Sequence, residues 1–430
     1  LFTPPKYFPW TGILITMIIT LLPTALAQSN FSATSHPAGR VPVAFDTTTL
    51  VTTDGEPLEF FGYTVALDGD TAVVGAPNDD DQGPYSGSAY VFVRQGNTWV
   101  QQAKLLASNG NESDLFGKAV ALSGNTVLIG ASGDDDQGPD CGAVYVFVRQ
   151  GEVWVQQAKL LATDGNDSDF FGGSVALERN TALIGAPADD DRGLNSGSAY
   201  VFARQRGAWV PQAKLLAGDG AAEDTFGAAV SLAGARALLG SPLDDDRGAN
   251  SGSAYVFVQE QGSWRQEAKL LSADGSPEDY FGTSLALSGN TALVGAFGDD
   301  DLGSASGSAY VFVRQTDWLQ QAKLLAADGA QDDYFSFSLA LDGDRVLIGA
   351  YGDKRGPIQG AAYLYERQRG SWTQQAKVKA QGGATSDIFG FAVALSNDTF
   401  LIGTLGDNLA SENSSSTADQ GVVYAGSYQP

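Results

Sequence analysis

Three residue types are nearly missing from this chain of 430 residues, which has 1 Cys, 1 His and 1 Met. A lone Cys141 excludes any disulfide within the chain, so the core itself must hold the fold. It stands where sister segments carry Ser (CGAVY against SGSAY), which reads as a small residue at a strand start. The lone His36 precedes the repeated part of the chain and excludes a Ser-His-Asp or Cys-His arrangement within it. It also excludes a His-based zinc site. Positive charge is scarce, with 25 Lys and Arg against 50 Asp and Glu and a net charge of −25. Phosphate binding needs clustered Lys and Arg, so nucleic acid is excluded as a partner. No phosphate-cradling loop or dinucleotide fingerprint occurs, and no segment sustains a helical spacing of apolar residues.

Long apolar runs are confined to the N-terminus. Residues 1–27 read as a secretory signal: Lys6 is the one charge, Gly12 to Leu22 is apolar, and Ala25-Leu26-Ala27 offers a small-x-small cleavage pattern. An uncleaved anchor is the alternative. Residues 28–45 read as a linker. No second apolar span follows, so the processed protein is expected to be extracellular, without a membrane span, and monomeric.

What is abundant is repetition. Phe-Gly recurs at Phe61, Phe116, Phe171, Phe226 and Phe281, 55 residues apart, and the count resumes at Phe335-Ser336 and Phe389-Gly390 after steps of 54. Trp99, Trp154, Trp209, Trp264, Trp318 and Trp372 keep the same period. Each unit reads as four strands. In the third, Gly173–Leu177 alternates, Thr181–Ile184 is a continuous apolar run, Ser198–Ala203 alternates, and a last strand begins at Trp209. A single four-stranded sheet cannot bury both faces, whereas sheets packed radially around an axis do. The last unit stops at Pro430 without a Trp strand. Asp46–Gly55 aligns with Gln101–Gly110 at an offset of 55 and supplies it. Residues 46–430 are therefore predicted to form an all-β, seven-bladed propeller of four-stranded blades, closed by an N-terminal outer strand.

At these residues the unit resembles the FG-GAP repeat of integrin α-subunit propellers. Phe-Gly opens the first strand, Gly-Ala-Pro (Gly75-Ala76-Pro77, Gly185-Ala186-Pro187) ends the second, and Gly-x-x-Tyr-Val-Phe forms the third. Gly295-Ala296-Phe297 and Gly349-Ala350-Tyr351 match in part. The Trp-x-x-x-Ala-Lys-Leu segment is closer to secreted microbial members. The resemblance implies a propeller and, in integrin-type blades, calcium between the first two strands. Here that link is a tight turn, Leu67 to Thr71, so the calcium site does not carry over.

The acids are not scattered. In a four-stranded blade the loops between strands two and three open on the same face as the interblade loops. The former carry Asp79, Asp80 and Asp81; Asp134, Asp135 and Asp136; Asp189, Asp190 and Asp191; Asp244, Asp245 and Asp246; and Asp299, Asp300 and Asp301. The interblade loops add Asp54, Asp114, Asp164, Asp169, Asp219, Asp224, Asp274, Asp279, Asp328 and Asp333. The opposite turns carry Arg94, Arg149, Arg204, Arg206, Arg314, Arg367 and Arg369, and the outer strands carry Lys104, Lys159, Lys214, Lys269, Lys323 and Lys377. An electrically polar disc is predicted. The Asp triplets offer hard oxygens suited to calcium, and equally are common turn formers.

Carboxylates alone would allow a glycosidase pair, yet they recur identically in blade after blade, which fits an array better than one active site. The expected function is non-catalytic: an extracellular binding or adhesion propeller using its acidic face for a protein, with calcium as a possible aid. The alternative is a carbohydrate-binding or glycan-hydrolysing propeller. Specificity is expected where blades differ, at Phe335-Ser336, Asp353-Lys354-Arg355 and the Ser-rich stretch 411–417, unless these differences are drift.

Overall fold

The computed structural model describes residues 32–34, 45–54, 58–355, 359–380, 387–406 and 421–428. The expected signal segment and the Ser-rich stretch lie outside the described residues. Among the described residues there is no helix, so none is long and apolar enough to cross a membrane.

The chain forms a seven-bladed propeller of antiparallel four-stranded sheets. In the third blade, Ser174–Glu178, Thr181–Ala186, Ser198–Gln205 and Ala208–Leu215 follow one another as a meander. The turns between them carry Gly or Asn, as tight hairpins require. The second strands are continuous apolar runs because both of their faces are covered: Ala182, Leu183 and Ile184 are fully buried. First strands of successive blades touch one another, and that of the seventh touches that of the first, so they surround the axis.

The seventh blade takes Ile388–Ser396, Thr399–Leu405 and Val422–Tyr428 from the C-terminus and Phe45–Leu50 from the N-terminus. Leu50 pairs with Val423, as the 55-residue offset predicts, and Phe45 with Tyr428, one residue beyond the predicted Ser427 because this strand runs without the bulge of its sisters. Leu50, Phe61, Val74, Tyr90, Leu401 and Val423 then share one core between the last and first blades. Within the expected linker, Ser32–Thr34 pairs with Lys377–Lys379 on the outer edge of the sixth blade.

The structure gives the two glycine motifs a physical reason. The Phe of each Phe-Gly is fully buried between two blades: Phe226 packs with Leu183 and Val201 of the third blade and with Leu239 and Tyr255 of the fourth. Burying one such ring stabilises the fold by about 2 kcal/mol. Its backbone bridges to Gly197, which has φ +81° and where a Cβ would lie 2.1 Å from the Phe226 carbonyl oxygen. At Gly185 a Cβ would lie 2.0 Å from the Gly227 oxygen. Blade-to-blade backbone contact at these points admits hydrogen alone. The sixth blade departs here: Ser336 adopts φ +76° and is buried, donating its hydroxyl to the Ser308 carbonyl and accepting the Ala296 N–H.

Removing Phe45–Leu50 leaves the seventh blade with three strands and opens the core it shares with the first. A chain lacking these six residues is expected to melt well below the intact protein in a calorimetric scan. An unchanged melting temperature would contradict the strand assignment.

Candidate functional site

The five Asp triplets recur on one face, but the three members of each do different work. In the third blade, Asp189 is 2% exposed. Its Oδ1 accepts the Asp191 N–H at 3.0 Å. Its Oδ2 lies 3.0 Å from the Ser198 and Tyr200 hydroxyls and 2.7 Å from Lys214 Nζ. The middle residue, Asp190, is exposed and caps its own loop by accepting the Asn195 N–H at 2.8 Å. Asp191 is exposed and sits 2.8 Å from the same Lys214 ammonium. A fourth carboxylate arrives from the preceding blade: Asp164 lies 2.9 Å from Lys214 Nζ and 2.8 Å from the Tyr200 hydroxyl. The ammonium also stands over the Tyr200 ring at 5.0 Å.

This lysine–carboxylate knot repeats around the ring. Lys104 joins Asp54, Asp79 and Asp81; Lys269 joins Asp219, Asp244 and Asp246; Lys323 joins Asp274, Asp299 and Asp301. In the second blade Lys159 joins Asp134 and Asp136, and Asn109 takes the interblade place by accepting the Tyr145 hydroxyl. In the sixth, Lys377 joins Asp328 and Asp353, and Arg355 and Lys379 also reach Asp353. The outer-strand lysines are therefore not a separate charged belt, as the sequence suggested. They lie inside the acidic face and neutralise part of it.

A bulge in the fourth strand of each of the first six blades brings the lysine there. Pairing slips between Val201 and Phe202, so that Pro211 and Ala213 face consecutive residues and Gln212 is extra. The bulge puts Trp209 and Lys214 on one side of the sheet, which strict alternation would forbid. The bulged side chain is used as well: the Trp264 indole N–H of the next blade donates to Gln212. Trp154, Trp209 and Trp372 make the same bond to Gln102, Gln157 and Gln321, and Trp318 makes it to Glu267.

Electrostatics follow the geometry. Burial pulls the Lys214 pKa down, but its bonds to Asp189, Asp191, Tyr200 and Asp164 outweigh this and hold the ammonium above its ordinary range. Burial likewise pushes Asp79 up, and the bonds from Lys104, the Asp81 N–H and Ser88, with the Lys104 charge, together more than reverse it. A second set of acids has no such partner. Asp114, Asp169, Asp224 and Asp279 precede the Phe-Gly pairs, are buried, and accept backbone N–H groups at 2.7–2.8 Å. Burial pushes each up to about 6.

Calcium takes about six to eight oxygens around one point at roughly 2.3–2.6 Å. Here the point on which two members of each triplet converge is held by an ammonium, and the middle member faces its own loop. The residues as folded suit lysine rather than calcium. Among the described residues no group of three or more His, Cys, Asp or Glu is arranged to hold a metal. Cys141 is buried, donates to the Asn166 carbonyl at 2.7 Å, and has its thiol pushed up by burial to about 11. It is not poised as a nucleophile.

Sequence comparison adds one finding. A family profile described as an FG-GAP repeat matches seven times, at residues 45–92, 99–147, 154–202, 209–257, 264–312, 318–365 and 372–424. Each match begins at the fourth strand of one blade and ends in the third strand of the next, so it spans a blade junction; the match at 154–202 holds Asp164, Asp189, Asp191 and Tyr200, and their Lys214 lies in the match that follows. No curated protein matches the chain.

Two outcomes are expected. Lys214→Met leaves Asp189 buried and uncompensated, which costs about 3–5 kcal/mol; a denaturant titration measures the loss, and a change near zero would contradict the knot. The four acids raised from 3.8 to about 6 give stability that is complete below pH 3.8 and is lost as pH rises through about 6. Asp79, Asp164, Asp219, Asp274 and Asp328, all lowered from 3.8, give stability present above that value and lost as pH falls through their own pKa. Thermal scans at fixed ionic strength should show a higher midpoint at pH 5 than at pH 7.5, with a steep fall below about pH 3. A midpoint that climbs steadily to pH 8 would contradict the buried-acid assignment.

Proposed function

Because the chain belongs to the FG-GAP repeat family, we propose that it is an extracellular, non-catalytic binding propeller that uses its acidic loop face to hold a basic protein. Secretion rests on the signal-like residues 1–27 and on the extracellular habit of this repeat. The observation that carries the binding reading is what remains after the lysines are spent. The knots absorb the first and third Asp of each triplet, but Asp80, Asp135, Asp190, Asp245 and Asp300 stay exposed, one on each of five successive blades. Glu112, Glu223 and Glu278 are exposed beside them on the interblade loops. A regular arc of fixed, solvent-facing carboxylates on rigid loops attracts and orients a cationic partner.

The single buried thiol and the even repetition of the acids support a non-catalytic role. A screen on glycosides, esters and phosphodiesters should show no turnover. We further propose that the loops are tied by lysine without calcium. Millimolar calcium should then raise the melting temperature no more than sodium at matched ionic strength. A calcium-specific rise would restore the metal reading of the Asp triplets.

Changing the five middle residues to Asn tests the arc. Asn keeps the Oδ1 that caps the loops at Asp80, Asp135, Asp190 and Asp245, and at all five positions it removes the charge. Immobilised protein should capture basic proteins from its native extracellular fluid and release them between about 50 and 300 mM salt. The fivefold variant should fold normally and lose that capture. Equal capture by both proteins would overturn the reading.

A further inference from the structure

The loop face is not uniform around the axis. On blades five, six, seven and one, seven aromatic side chains form one connected surface: Tyr280, Phe297, Tyr334, Phe337, Tyr351, Phe391 and Tyr63. Tyr280 stacks on Phe297 with ring centres 5.0 Å apart and planes 8° from parallel, and Tyr334 stacks on Tyr351 at 4.9 Å and 7°. Phe297 and Tyr334 join the two stacks at 6.1 Å. Phe337 meets Tyr351 at 4.6 Å and Phe391 at 5.0 Å, and Phe391 meets Tyr63 at 5.2 Å. All seven rings are half-buried, so each keeps some surface open to solvent.

The fold does not require these rings. They occupy three places in the repeat: just before Phe-Gly, just after Phe-Gly, and just after Gly-Ala. The fourth blade has Thr225, Ala228 and Pro242 there, and the second has Leu115, Lys118 and Ser132. Both blades keep the same four strands and the same buried Phe. Seven partly open rings gathered on one sector therefore call for a reason other than packing, and the apolar floor of a binding site is the usual one.

The charge around the sector selects the ligand. The sixth blade replaces the second and third Asp of its triplet with Lys354 and Arg355. Lys354 is exposed and lies 3.9 Å from Asp332, while Arg355 pairs with Asp333 and Asp353. This part of the face has exchanged net negative charge for balanced donors and acceptors, so a cation gains less here than on the other blades. The Tyr280 hydroxyl donates to Glu278. Lys354 with Asp332 and the Tyr280 hydroxyl with Glu278 thus place paired polar groups beside the rings. An apolar surface of rings set at varied angles, with such a rim, offers C–H contacts and hydrogen bonds to a pyranose ring, which has one C–H face and a girdle of hydroxyls.

We infer that the aromatic sector of blades five, six, seven and one, on the loop face, is a binding site for a neutral glycan chain. The rings stack against the sugar faces, and the rim groups exchange hydrogen bonds with the hydroxyls. The inference does not rest on the acidic arc and goes beyond the protein-binding reading.

Calorimetric titration with cello-, chito-, manno- and galacto-oligosaccharides tests it. At least one should bind, and raising salt from about 50 to 500 mM should leave the affinity within a factor of about two, because no net charge is engaged. The double variant Tyr280→Thr, Tyr334→Thr installs the residue that the fourth blade carries at the same left-handed position, Thr225 with φ +57°. It should melt with the wild type and bind at least about tenfold more weakly, a loss of about 1.4 kcal/mol. Absence of binding to all four sugars at millimolar concentration would overturn the inference, as would undiminished binding by the double variant. Binding that salt abolishes, or that the fivefold Asn variant of the arc loses, would assign the ligand to the charged arc instead and equally overturn it.

Discussion

Everything on the loop face depends on where six ammonium groups sit. Each outer-strand lysine is drawn among two or three carboxylates, one of which is buried, and the aromatic ring of a third-strand tyrosine. A buried carboxylate without a partner is costly, and a lysine held in one conformation loses side-chain entropy. The attraction between the two groups outweighs both costs only if the geometry is fixed on all sides. Here it is fixed by the Asp191 N–H of the loop and the Ser198 and Tyr200 hydroxyls of the third strand, which bond Asp189, and by the preceding blade, which brings Asp164. The knot ties one loop to its own sheet and to the sheet beside it. It also decides which acids remain free to meet a partner.

The second constraint is steric. Blades approach one another until backbone touches backbone, at pairs such as Gly185 with Gly227 and Gly197 with Phe226. The Phe-Gly and Gly-Ala-Pro signatures are the trace of that approach in the sequence. Ser336 shows the tolerance of the rule, since a small hydroxyl residue is accommodated where it finds the Ser308 carbonyl and the Ala296 N–H.

Much of the fold was legible because it is local and periodic. Strand positions, the buried Phe, and the pairing of Asp46–Leu50 with the last strand all follow from alternation and a fixed offset. The site was legible only in part. The face carrying the acids follows from blade topology, but the sequence places the lysines only on the outer strands and does not bring them to the acids. Two features hid their true place. Lys214 is 25 residues from Asp189 and 50 from Asp164, so no local pattern joins them. The bulge at Gln212 also reverses the alternation midway along the strand. The doubled Gln-Gln before Ala-Lys was the available signal, because a repeated polar pair inside a strand marks a break in phase. The aromatic sector was hidden differently: its rings sit at positions where Phe297 and Tyr351 read as imperfect copies of Gly-Ala-Pro.

Two kinds of surface thus share one face: a carboxylate arc that repeats with the blades, and an aromatic sector where the repeat breaks. Both rest on loops whose shape the lysine knots set, so the knots are the part of the account to test first. Lysine ammonium protons can be followed by 1H–15N NMR on protein labelled at lysine. Lys104, Lys159, Lys214, Lys269, Lys323 and Lys377 should give slowly exchanging signals at neutral pH, and those signals should persist in millimolar calcium, while exposed Lys354 exchanges too fast to be seen. If all lysine ammonium groups exchange freely, or if calcium releases these six, the knots do not hold the loops.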